Sequence, residues 1–324
     1  MKNEPRDSPP AQPAPKLLQK RRALRVAHVL IALLGLALAI LVPARLGFSG
    51  VFSAIRPALT VLPLCLACEL VRIACESVAT RLALGRPVPW RPMLFAHLVA
   101  YATGAVFPAP RPSAEAVKTT LLGDHVGIPE AASAGATLQA ATFFSVGILC
   151  AFAGLASLGT SLSLALFVNA GVLIGLGVLL RGVLRSSRVK ALVCRRFPKR
   201  AATVERLHAV AKNGDLLALG PTSCLVVSLC VRVFAQYYIS RSMGGATGLD
   251  GALRSEGVRL LAATFGVLVP GQMGIREAFF AYSADALGTT EAKATAIALF
   301  THLVELSVAL VGFTALALRS SKRG

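Results

Sequence analysis

The stretch GVLVPGQMGIREAFF, residues 266–280, sets Arg276 and Glu277 just behind a Pro270-Gly271 break in an otherwise apolar run. An unpaired charge at the centre of a bilayer costs at least ~2.5–3.5 kcal/mol on insertion scales, and a Pro-Gly break frees backbone groups that hydrocarbon cannot satisfy. Such residues belong beside protein or water. An arginine next to a fresh helix start, with its free N–H groups, is suited to holding a phosphate or carboxylate. A second stretch, TGAVFPAPRPSAEAVKTTLL, repeats the pattern: Pro108, Pro110 and Pro112 interrupt the run, and Arg111, Glu115 and Lys118 follow. The candidate headgroup-binding residues are therefore Arg111, Glu115, Lys118, Arg276 and Glu277. The candidate breaks are Pro108, Pro110, Pro270, Gly271 and Gly274. Arg276 and Glu277 are both expected to face a polar cavity, the cations holding an anionic headgroup and the carboxylates orienting them or contacting an amine. The competing reading is an ordinary interfacial turn from which Arg276 reaches water.

Other polar residues lie inside apolar windows. Glu69, Arg72 and Glu76 fall at i, i+3 and i+7, on one helical face, so Arg72 can pair with both carboxylates. Buried charges need partners whatever their task, which makes a structural triad the simpler account. Arg232, His302 and Glu305 complete a candidate intramembrane polar network, as helix-bundle glue or as part of a proton or ion path. No catalytic set is recognisable: the sequence carries no phosphate loop, nucleophile elbow or zinc helix. The pair Cys65-x-x-Cys68 has no second pair or nearby histidine to complete a four-ligand site. No metal and no cofactor is expected.

The elements that must position these residues are membrane helices. Hydrophobic residues make up 55% of the 324 and charged residues only 15%, a balance no soluble domain sustains. Six windows approach or exceed the ~20 apolar residues of a membrane helix: Val26 to Ala44, Pro57 to Leu84, Ala131 to Leu158, Leu162 to Leu180, Leu216 to Ser240 and Lys293 to Leu318. Two more, Pro92 to Pro108 and Leu260 to Leu287, are short or broken. The net charge of +19 sits wholly in four segments: residues 1–25 (+5), 81–91 (+3), 181–215 (+8) and 319–324 (+3). Basic loops resist translocation, so all four are expected on the cytoplasmic side, and nucleic acid is not needed to explain them. If every window crossed once, the +8 loop would lie outside. Six crossings plus two re-entrant broken segments, entering from opposite faces, keep all four inside.

The expected fold is thus an all-α integral membrane protein. It has a polar, basic tail over residues 1–25, one membrane domain over 26–318 containing the basic loop 181–215, and a tail over 319–324. Both termini are expected in the cytoplasm of a cell with this protein in its inner membrane. Paired broken segments at membrane depth point to transport.

At these same residues the chain resembles a known family. PAPRPSAEAVKTTLLGDHVGIPEAASA is similar to the Pro-x-Arg-x-Gly-Glu-x-x-Arg-x-x-Leu-Leu segment of the membrane domain of the lysylphosphatidylglycerol synthase/flippase family. VLVPGQMGIREAFFAYSADALG resembles that family's later Gly-x-Arg-Glu-Ala signature. The likeness runs over roughly residues 20–318. Here Ala114 and Lys118 replace a glycine and an arginine, Gln272 replaces a glycine, and only Gln139 remains of the polar residues on the following helix. The resemblance implies a stand-alone membrane domain without the aminoacyl-transferase domain of bifunctional relatives. The function it implies is a lipid flippase or translocator for an anionic or aminoacylated phospholipid, glycolipid or polyprenyl-type lipid. The alternatives are a membrane-embedded headgroup transferase or an accessory subunit of a lipid-modifying enzyme. Membrane lipids are the expected partners, with a lipid-synthesising enzyme and a second copy of the chain as further candidates.

Overall fold

The computed structural model describes residues 44–107, 110–198, 216–245 and 248–321, with a few positions within 37–41 and 201–209. Among them, five helical stretches are long and apolar enough to cross a membrane: Phe48–Leu84, Ile128–Ala156, Ser161–Arg185, Leu219–Ser242 and Glu291–Arg319. They match five of the six expected crossings. The first, Val26 to Ala44, falls almost wholly outside the described residues, as do the tail over 1–25 and much of the basic loop. The chain is an all-α multi-pass membrane protein.

Eleven α-helices are described. Helix α1 (Phe48–Ile55) runs through a short 3-10 turn over Arg56–Val61 into α2 (Leu62–Leu84), the tightening coinciding with Pro57 and Pro63 in successive first turns. Gly85, at φ +62°, closes α2 with a left-handed cap. Helices α3 (Trp90–Val106) and α4 (Pro110–Val126) follow, then the long pair α5 (Ile128–Ala156) and α6 (Ser161–Arg185), and a short basic helix α7 (Ser187–Arg196). After the next connection come α8 (Leu219–Ser242), α9 (Leu249–Phe265), α10 (Ile275–Tyr282) and α11 (Glu291–Ser321). Cys65 and Cys68 are free and buried in the main apolar core.

The two broken segments are helix hairpins. In the first, Phe107 is extended (φ −84°, ψ 149°), the conformation imposed on a residue preceding proline, and Pro110 opens the returning helix where its missing N–H is harmless. Met93 and Ala96 near the start of α3 pack in one cluster with Leu122 near the end of α4, so the two run antiparallel. The expected segment, Pro92 to Pro108, captured only the first limb. In the second hairpin, Phe265 stacks on Phe279 with ring centres 5.5 Å apart, and Arg254 Nη1 donates to the Ala286 carbonyl at 3.2 Å. Its first limb begins at Leu249, well before the expected Leu260. Asp250, Arg254, Glu256 and Arg259 depress the hydropathy there, but they pair within the helix, Arg254 with Asp250 at 2.7 Å and Arg259 with Glu256. Helix α11 lies close over α3 because Gly312 has no side chain: a Cβ there would stand 2.5 Å from the Leu98 carbonyl oxygen.

Candidate functional site

The tips of the two hairpins meet. Gly271 sits at φ +58°, and a Cβ on it would lie 3.1 Å from the Ala105 carbonyl oxygen. Val269 is extended ahead of Pro270, a 3-10 turn covers Pro270–Gln272, and Gly274 at φ +78° starts α10. Gln272 also holds a positive φ, +59°, which an L side chain adopts only at a cost of about 1–3 kcal/mol. Its side chain supplies a compensating contact, since its Oε1 accepts from Arg276 Nη2 at 3.0 Å.

Beside these tips lies a cavity of about 260 Å³. The first hairpin contributes His97, Tyr101, Arg111, Glu115 and Lys118; the second contributes Arg259, Gly271, Gln272 and Arg276. Arg72, Glu76, Gln139, Arg232 and Glu305 come from α2, α5, α8 and α11.

One wall is a continuous chain of ion pairs. Arg72 bonds Glu76 and, through Nε, Glu69 Oε2 at 2.9 Å; Arg232 links Glu69 (2.5 Å) to Glu305 (2.8 Å); Arg276 Nη1 reaches Glu305 Oε2 at 2.9 Å. Tyr101 OH donates to Glu69 at 3.2 Å. Charges alternate along this chain, so each bridging group has an opposite charge on either side, and α2, α8, α10 and α11 are tied together. The expected Glu69–Arg72–Glu76 triad is present, and Arg232 and Glu305 extend it. His302 stands behind Glu305, 3.8 Å from Oε2, and 3.1 Å from Glu277 Oε1, the latter outside hydrogen-bonding alignment.

The charged lining residues outside this chain are arranged differently. Lys118 pairs with Glu115 at 2.6 Å one turn along α4, and Arg259 pairs with Glu256 on α9. Arg111 lines the cavity with no ion-pair or hydrogen-bond partner among the described residues.

Of the headgroup-binding candidates, the structure gathers Arg111, Glu115, Lys118 and Arg276 around one space. Glu277 does not line it. Adjacent residues on a helix point about 100° apart, so Arg276 and Glu277 cannot share a target. Glu277 instead folds back to accept the Gly274 N–H at 2.7 Å, capping α10, and Arg276 takes Glu305 as its carboxylate. Of the break residues, Gly271 reaches the cavity wall; Pro110, Pro270 and Gly274 shape the backbone, and Pro108 lies outside the described residues. Glu256 and Arg259 were missed, although they repeat the i, i+3 spacing of Glu69 and Arg72. Among the described residues, no cluster of His, Cys, Asp and Glu is arranged to hold a metal ion.

A family model described as the lysylphosphatidylglycerol synthase TM region matches residues 26–312. No curated protein and no solved structure matches the chain.

Proposed function

The chain belongs to the family of the lysylphosphatidylglycerol synthase TM region, and from that premise we propose that it moves a lipid with an anionic headgroup between leaflets through the cavity between its two helix breaks. The observation that carries this reading is the meeting of both hairpin tips at one cation-rich cavity inside a membrane bundle. Arg72, Arg111, Lys118, Arg232, Arg259 and Arg276 face only Glu76, Glu115 and Glu305 there. With Glu69, Glu256 and Glu277 counted behind the wall the carboxylates also number six, so the cation excess belongs to the cavity surface itself. A phosphate entering this space exchanges its hydration for fixed guanidinium donors.

In this reading each hairpin is re-entrant. A 17-residue limb such as α3, α4 or α9 spans only ~25 Å at 1.5 Å per residue, less than the ~30 Å hydrocarbon core. The hairpins then dip from opposite faces and meet near mid-depth, with both termini and the 181–215 loop in the cytoplasm of the cell membrane. On a cysteine-free background, single cysteines at positions 115 and 195 should resist an impermeant thiol reagent applied from outside. One at position 248 should react. Strong external labelling at 195 would contradict the arrangement.

Reconstitution tests the function itself. The purified protein alone should change the leaflet distribution of an anionic phospholipid while its mass stays constant. A new lipid species formed in the presence of a donor would assign the cavity to headgroup transfer instead.

A further inference from the structure

We propose, resting on the translocation reading, that the buried pair His302 and Glu277 is a proton-binding site that fills when an anionic headgroup enters the cavity, so that lipid and proton are bound together. Among the six cations of the cavity and the six carboxylates on and behind its wall, ion pairs between a carboxylate and an arginine or lysine join all but two groups. Arg111 is the cation left over, and Glu277 is the carboxylate. Glu277 is only 1% exposed; its Oε2 accepts the Gly274 N–H at 2.7 Å, and its Oε1 stands 3.1 Å from His302 Nε2, a buried nitrogen with no hydrogen-bond partner. One proton fills that gap, as imidazolium beside carboxylate or as imidazole beside carboxylic acid. While the cavity is empty the set is neutral without it, since the charge of Arg111 offsets that of Glu277. A phosphodiester pairing with Arg111 removes this offset and leaves one buried negative charge too many, which a low-dielectric interior opposes. The proton then belongs on the pair, because any other carboxylate of the set would strand an arginine or lysine by taking it. His97, the histidine that lines the cavity, bonds Thr80 Oγ1 at 2.7 Å and has no carboxylate partner among the described residues. Glu305, on the cavity wall, lies 3.8 Å from His302 Nδ1 and gives the proton a route from cavity water. Arg276 on α10 and Glu305 on α11 stand nearest the pair. Beyond them lie Arg232 on α8, Glu69 on α2 with Tyr101 of α3 bonded to it, and the Arg259–Glu256 pair on α9, while α1 carries no titratable side chain.

The experiment uses the full-length protein in detergent, with phosphatidylglycerol as the probe because its phosphodiester stays ionised throughout the range in which histidine titrates. Added to the protein in weakly buffered solution containing a pH-indicator dye, it should draw about one proton from solution per lipid bound. By reciprocity it should bind about tenfold more tightly at about pH 6 than at about pH 8. Glu277→Gln keeps an acceptor for the Gly274 N–H and strands no cation, so it should fold normally. It should take up no proton and bind the lipid at the higher pH as tightly as the parent does at the lower. A purely structural role for Glu277 would not produce that gain. His97→Gln should leave the uptake in place. Binding without proton uptake, binding that ignores pH, or parental uptake in Glu277→Gln overturns the proposal, as does uptake that disappears in His97→Gln. Leaflet exchange is read separately in liposomes: linked uptake without exchange would uphold the proton site and defeat translocation, and exchange without a linked proton would do the reverse.

Discussion

Glu305→Gln is expected to destabilise the protein more than any other single substitution along the charged chain. Glu305 is the bridge between Arg232 and Arg276, and Arg276 has no second carboxylate within ion-pair distance among the described residues. With Glu305 neutral, an arginine only 3% exposed retains Gln272 as its main partner. Leaving a buried charge unpaired costs about 3–5 kcal/mol. Arg276→Gln should be milder, at about 1–2 kcal/mol, because Glu305 keeps Arg232. Thermal unfolding and purified yield compare the two. The double variant Glu305→Gln/Arg276→Gln should recover part of the loss, since it removes the stranded charge along with the bridge. A Glu305→Gln protein that melts like the parent would show that the chain contributes little to stability.

Gly271→Val carries the second large effect. The valine would hold a β-branched side chain at a left-handed φ and press its Cβ to 3.1 Å from the Ala105 carbonyl, at the point where the hairpins touch. Strain and overpacking together should cost about 2–5 kcal/mol, and the displaced tips should lose most leaflet exchange. Gly182→Ala is the control: nothing lies within 4 Å of a Cβ there, and both stability and exchange should be retained. Normal exchange in Gly271→Val would mean that the contact between the tips is incidental.

The large features of this fold are legible in the sequence because they rest on local physics. Continuous apolar length marks the crossings from Pro57 onward, and the prolines at 110 and 270 mark the turns of both hairpins. The spacing of Glu69, Arg72 and Glu76 announces their pairing before any tertiary contact is known. What hydropathy hides are helices whose charges cancel internally. The limb Leu249–Phe265 looks too polar to sit in a membrane until Glu256 is seen to neutralise Arg259 and Asp250 to pair with Arg254. The carboxylate partner of Arg276 is beyond local reading for a different reason: Glu305 lies 29 positions away, and only the packing of α10 on α11 brings them together. The expectation that Glu277 faces the cavity failed on a local rule, the 100° turn between neighbours, which the sequence already contained.

Leaflet exchange by the purified protein is the most direct test of translocation. In liposomes with fluorescent phosphatidylglycerol in both leaflets, a membrane-impermeant quencher bleaches only the outer half when no exchange occurs. Vesicles containing the protein should lose most of the remaining fluorescence, the lipid recovered afterwards should have its original mass, and Arg111→Gln should return the signal toward the protein-free level. Protection of the inner half in vesicles shown to contain folded protein would contradict the account.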